Sequence, residues 1–81
     1  RAVRRYGTNL RTLVHSWLVG RGESGATDEE MQSLLAIPPN TQRPRRRELQ
    51  TKGLVVDSGN RRATRSGRKA IVWVAKVRVD H

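Results

Sequence analysis

The chain contains no cysteine. That excludes a disulfide framework and any thiolate-bound zinc site, and it leaves the redox compartment open, although a small basic domain without disulfides fits the cytosol. Phenylalanine is also absent, and aromatic residues are only 4% of the chain, so there is little material for stacking unpaired bases; Tyr6 is the one free candidate. No apolar run approaches the ~18 residues that a membrane-spanning helix needs. No charged, apolar and small-residue succession marks a signal peptide. The two histidines, His15 and His81, are far apart and form no Ser/His/Asp set or metal-ligand cluster. No glycine loop precedes a helix as a phosphate cradle would, and Ser66-Gly67-Arg68-Lys69 falls in a hairpin rather than at a helix start. No catalytic residue, metal, cofactor or small-molecule ligand is therefore expected.

Acidic residues are scarce as well: 7 Asp+Glu face 17 Lys+Arg, which leaves a net charge of +10. Only Lys52, Lys69 and Lys76 are lysines; the rest of the basic residues are arginines, whose planar fork suits phosphate and guanine edges. Such a balance implies a polyanionic partner, nucleic acid first. An anionic membrane is the competitor. It is disfavoured because the basic residues do not lie opposite a broad apolar stripe. At 81 residues the chain is a single domain with a modest core. A start at Arg1 rather than Met, and an end at Asp80-His81, suggest a piece of a longer protein.

Residues 1–8 read as a basic N-terminal arm, and residues 9–79 as the folded domain. A first helix is expected over Asn9–Val19. Leu10, Leu13, Val14, Trp17 and Leu18 make its apolar face, Thr8 or Asn9 caps it, and Gly20 and Gly22 stop it. His15 lies off that face and is expected to be exposed. After a Gly/Ser loop, Thr27-Asp28-Glu29-Glu30 is a capping box: the Thr27 hydroxyl accepts from the Glu30 N–H while the Glu30 carboxylate reaches back. These acids have a sufficient structural task and need no catalytic one. The second helix is expected over 28–36, with Met31, Leu34 and Leu35 inward and Pro38 ending it.

The third element, Asn40 to Gly53, is short and very basic. With Thr41 as its cap, Pro44 would fall where its missing N–H costs nothing. Leu49 is its one large apolar anchor. At ~100° per residue, Arg43, Pro44, Arg47, Gln50 and Thr51 then point away from the core. Gln42, Arg45 and Arg46 lie nearer the core side. Arg43 and Arg47 are the candidates for groove contact. Arg45 and Arg46 suit flanking phosphates, or pairs with acids such as Glu48 and Asp28.

Gly53 is placed to end this helix. A strand Leu54-Val55-Val56, a turn Asp57-Ser58-Gly59-Asn60 and a basic stretch 61–69 follow. A longer strand 70–79 has Ile71, Trp73, Ala75, Val77 and Val79 on one face and Val72, Val74, Lys76 and Arg78 on the other. The two strands make an antiparallel hairpin.

Helix, loop, capped helix, tight turn, basic helix, strand, basic loop and strand, in that order, resemble the winged helix-turn-helix DNA-binding domains. Multiple-antibiotic-resistance-type regulators and related bacterial and phage modules are notable members. The resemblance covers about residues 9–77. It rests on Thr27-Asp28-Glu29-Glu30 to Leu35, on Asn40-Thr41-Gln42-Arg43-Pro44-Arg45 to Leu49, on Lys52-Gly53-Leu54-Val55, and on the wing from Arg61-Arg62 to Ile71-Val72-Trp73. It implies an α+β fold of three helices followed by a hairpin wing. It also implies double-stranded DNA as the partner, the helix at about 41–52 in the major groove, and the wing at about 60–69 on an adjacent minor groove or backbone. The residues so implicated are Thr41, Gln42, Arg43, Arg45, Arg46, Arg47, Thr51, Arg61, Arg62, Arg65, Arg68 and Lys69. No long flanking helices are present to form the dimer interface of the regulators. A module of a regulator or DNA-processing protein, working beside other domains of a longer chain in the nucleoid or host cytoplasm, is the expectation. An RNA-binding or protein-interaction domain on the same fold is the alternative.

Overall fold

The computed structural model describes residues 10–76; the N-terminal arm, Tyr6, the Thr8 or Asn9 cap and the strand positions from Val77 onward lie outside the described residues. Three helices are followed by an antiparallel two-stranded hairpin: α1 Leu10–Arg21, α2 Asp28–Leu34, α3 Pro39–Thr51, β1 Val55–Ala63 and β2 Lys69–Ala75. A single core lies between the helices and one face of the hairpin. It contains Leu10, Val14 and Leu18 of α1, Met31, Ile37, Leu49, Val55 and Trp73.

The apolar stripe of α1 is narrower than its sequence pattern. Leu10, Val14 and Leu18 are buried, Trp17 is half-buried, and Leu13 at the edge is 38% exposed. Gly20 does not stop the helix; Gly22 does, with φ +59. His15 is half-buried rather than exposed, because it lines a recess with Leu49 and Leu54 where α1 meets the end of α3.

The capping box at the start of α2 is present in both directions, with Glu30 N–H to Thr27 Oγ1 and Thr27 N–H to Glu30 Oε1 each at 3.1 Å. The helix ends at Leu34, earlier than the proline alone requires. Ala36 turns left-handed at φ 55, and the Ile37 N–H donates to the Gln32 carbonyl. That closure turns Ile37 into the core and leaves Leu34, expected inward, 60% exposed.

The third helix also departs from expectation. Pro38, extended, is its cap residue, and Pro39 occupies the first position, where a missing N–H is harmless. Thr41 is not the cap: its N–H already donates to the Pro38 carbonyl. Pro44 therefore lies inside the helix, with no N–H to offer the Asn40 carbonyl. Gly53, at φ 78, follows the last turn as expected, and the Leu54 N–H closes onto the Leu49 carbonyl.

The hairpin is longer on its first side than the sequence pattern suggests. Asp57-Ser58-Gly59-Asn60 does not reverse the chain. The register runs Val55↔Ala75 to Asp57↔Trp73 and resumes at Arg61↔Ile71, so β1 carries extra residues and bulges there. Asp57 Oδ1 accepts from the Gly59 N–H, and Ser58 Oγ from the Asn60 N–H; the turn-forming chemistry is used locally, inside a strand. The reversal is at Thr64–Gly67, where the Thr64 N–H donates to the Arg68 carbonyl at 2.7 Å. On the other edge of β2, Ala26 and Trp73 exchange both backbone hydrogen bonds, at 2.9 and 2.8 Å. A Cβ at the preceding Gly25, whose φ is +55, would collide with the Trp73 carbonyl, so glycine is what lets the chain pass this close.

Candidate nucleic-acid interface

Arginine's use divides sharply in this structure. Arg46, at the centre of α3, is an internal residue. Its Nε and Nη2 donate to the two oxygens of Asp28 at 3.0 and 2.7 Å, and its Nη1 donates to Gln50 Oε1. Its guanidinium lies 4.3 Å from the centroid of the Trp73 ring. A planar fork can satisfy a carboxylate edge-on and an aromatic ring face-on at once. One side chain thus ties α3 to the start of α2 and to β2. Burial pushes the Asp28 carboxyl up, but hydrogen bonds from Arg46 and Gln42 and the charges of Arg46 and Arg43 outweigh it and hold the pKa below the usual carboxylate range.

Gln42 is fully buried. Its Nε2 donates to Asp28 Oδ1 at 3.0 Å, and its Oε1 accepts from Gln32 at 2.9 Å. Its expected place at a DNA surface is therefore corrected: position 42 lies two turns before Leu49 on the same inward side of the helix, and its amide is engaged there by Asp28 and Gln32. Arg45 pairs with Glu48, at 3.2 Å, and the same carboxylate takes Arg11 at 3.5 Å.

The hairpin makes the same division. Arg62 reaches back to Glu30 and to the Ser24 carbonyl, so it clamps β1 to the loop before α2. Burial raises the Glu30 carboxyl; the Arg62 and Thr27 hydrogen bonds and the charges of Arg62 and Arg21 more than offset that and hold it low. Arg61 pairs with Asp57 across the bulge, and Arg21 lies 3.8 Å from Glu30 and over the Trp17 ring. The Arg65 backbone N–H donates to Glu29 Oε1, which seats the hairpin tip against the start of α2 and leaves the Arg65 side chain exposed.

What remains is specific. Among the described residues, Arg43, Arg47, Lys52, Arg65, Arg68, Lys69 and Lys76 are exposed and have no carboxylate partner. Arg43 and Arg47 stand one turn apart on the outer face of α3, with Asn40 and Thr51 exposed alongside and Thr41 half-exposed. Arg65 and Arg68 flank the Ser66-Gly67 turn, with Lys69 opening β2. Of the residues implicated by sequence, Arg43, Arg47, Thr51, Arg65, Arg68 and Lys69 present free surface. Thr41 does so in part, Arg45, Arg46, Arg61 and Arg62 are engaged internally, and Gln42 is enclosed. Lys52, at the end of α3, joins the free set; beside Gly53 it reads in the sequence only as part of a helix end. No sequence signal pointed to the Arg46–Trp73 stack, since it joins residues distant in the chain.

Among the described residues no helix is long and apolar enough to cross a membrane, and no group of three or more His, Asp or Glu side chains is placed to hold a metal. No family model, curated protein or solved structure matches the chain.

Proposed function

We propose that the domain is a winged helix-turn-helix module that binds double-stranded DNA, with α3 in the major groove and the hairpin tip on an adjacent minor groove or backbone. The observation that carries this reading is the partition of the basic residues. Those facing α2, α1 and the loop before α2 have carboxylate partners, and those on the outer face of α3 and the hairpin tip have none. An exposed, unpaired arginine forfeits no internal bond when it meets a phosphate or a base edge. The order of elements, with Ala26 pairing to β2 as a one-residue third strand, supports the fold assignment. A helix fits the width of the major groove, and arginine matches the O6/N7 pair of guanine there. Trp73 is buried under Arg46 and Trp17 is half-buried against Arg21, which favours a duplex over single strands that need free rings. The module would serve a regulator or a DNA-processing protein in the nucleoid or host cytoplasm, beside other domains of a longer chain.

Fluorescence anisotropy with labelled duplexes tests this. Arg43→Ala with Arg47→Ala should erase discrimination between duplex sequences. Arg65→Ala with Arg68→Ala should weaken binding to all duplexes alike. Equal affinity of both variants and the unsubstituted chain for duplex DNA would overturn the proposal.

A further inference from the structure

The outer face of α3 is chemically narrow. Asn40, Arg43, Arg47 and Thr51 occupy it, all exposed, and no acidic or large apolar side chain stands among them. Glu48, the helix's one acid, is turned toward α1 and held by Arg11 and Arg45. Gln50, at the other margin, accepts from Arg46. Arg43 and Arg47 are thus the only long side chains of this face, among the described residues, that are free to reach outward. They are four residues apart, so the helix rise separates their Cα atoms by about 6 Å. Stacked base pairs advance about 3.4 Å each, so two steps cover nearly the same distance. Guanine presents two acceptors to the major groove in the geometry of a guanidinium fork, and does so from whichever strand holds it.

From this we infer that the preferred duplex carries two G·C pairs separated by a single base pair, one read by Arg43 and the other by Arg47. The inference rests on the DNA-binding reading above and names the class of sequence that site takes. Arg46, although on the same helix, adds no third contact, because its fork is filled by Asp28 and its face by Trp73. The hairpin tip adds affinity through phosphates and is indifferent to this spacing.

The test uses the full chain and a set of duplexes identical except for two G·C pairs placed with zero, one, two or three pairs between them, and one duplex with neither. With one intervening pair, binding should be roughly tenfold or more tighter than to the duplex with neither, from the discrimination typical of bidentate arginine contacts. Replacing both guanines by 7-deazaguanine, which deletes the N7 acceptor and keeps base pairing, should remove that gain. Arg43→Ala with Arg47→Ala should bind all the duplexes equally, no tighter than the unsubstituted chain binds the duplex with neither pair. Equal binding across the set by the unsubstituted chain, a preference for another spacing, or a preference that survives the double substitution or the 7-deaza change would overturn the guanine inference and leave DNA binding standing. Absence of binding to every duplex would overturn the DNA-binding reading, and the inference with it.

Discussion

The Asp28–Arg46–Trp73 group sets how α3 is held. Asp28 accepts from Arg46 and Gln42 together, and both partners lie on α3, so the carboxylate at the first position of α2 is the hinge pin of the helix pair. Its geometry is the bidentate kind, with side-chain exposures of 11% for Arg46 and 21% for Asp28, so loss of one partner leaves a largely desolvated charge behind. Asp28→Asn should therefore cost on the order of 2 kcal/mol at neutral pH, read as a lowered Tm in thermal melts. The pH dependence follows from direction alone. The folded pKa of Asp28 and that of Glu30 are both held below their ordinary values. A carboxylate with a depressed folded pKa contributes stability that is complete above the unfolded value and is lost as pH falls through the folded one. Melts should be nearly flat from pH 7 to about pH 5, then fall steeply below about pH 4, where unfolded carboxylates begin to bind protons. In Asp28→Asn that acid decline should be visibly shallower. A variant as steep as the unsubstituted chain would show that another group controls acid unfolding.

At the level of elements, the connection between α2 and α3 is tight, and its tightness carries strain. Ala36 takes the left-handed position that glycine usually holds at a helix end, with Ile37 N–H closing back on Gln32. A Cβ in that conformation costs roughly 1–2 kcal/mol, while glycine forfeits about 0.5–1 kcal/mol in chain entropy. Ala36→Gly should thus raise stability by about 0.5–1 kcal/mol, seen as a higher denaturation midpoint at unchanged m-value. An unchanged or lower midpoint would mean that the turn is not strained. The same turn explains what could be read in advance. Capping at Thr27 and Glu30, the stripe Leu10-Val14-Leu18 and Gly53 after α3 are local chemistry, and local chemistry is visible in a sequence. The start of α3 was misplaced: Thr41 offered a side-chain cap, whereas the helix begins at Pro39, whose missing N–H is harmless at the first position. Three features were not legible. The bulge at Ser58–Asn60 uses turn residues without a reversal, the Ala26–Trp73 bridge joins residues 47 apart, and the Gln42 amide, although phased inward from Leu49, is enclosed by Asp28 and Gln32 of α2. Each depends on a partner that sequence spacing does not reveal. The outward position of Arg43 and Arg47 did not depend on the cap, because it was phased from Leu49, the buried anchor.

On the scale of the whole molecule, the excess of positive charge is best understood as two populations. Of the thirteen basic residues among those described, six carry ion pairs and hold elements together: Arg11, Arg21, Arg45, Arg46, Arg61 and Arg62. The remaining seven are exposed without carboxylates. Among the described residues, and on the DNA-binding proposal, the second population is the one free to release counterions from a DNA backbone, because the first already has its anions. If Arg43 and Arg47 read bases, as proposed, about five of the seven are left for phosphates, and log K should fall with log salt at a slope of roughly −4 to −5. Arg65→Ala with Arg68→Ala should reduce that slope by about 2, at roughly 0.9 for each phosphate no longer neutralised. Arg43→Ala with Arg47→Ala should change sequence preference and leave the slope nearly intact. A titration of anisotropy from low to high salt on one duplex resolves the three chains. The same slope after the tip substitutions would show that Arg65 and Arg68 do not touch the backbone. A slope that collapsed only with the α3 substitutions would make that helix a phosphate binder, with base choice resting elsewhere.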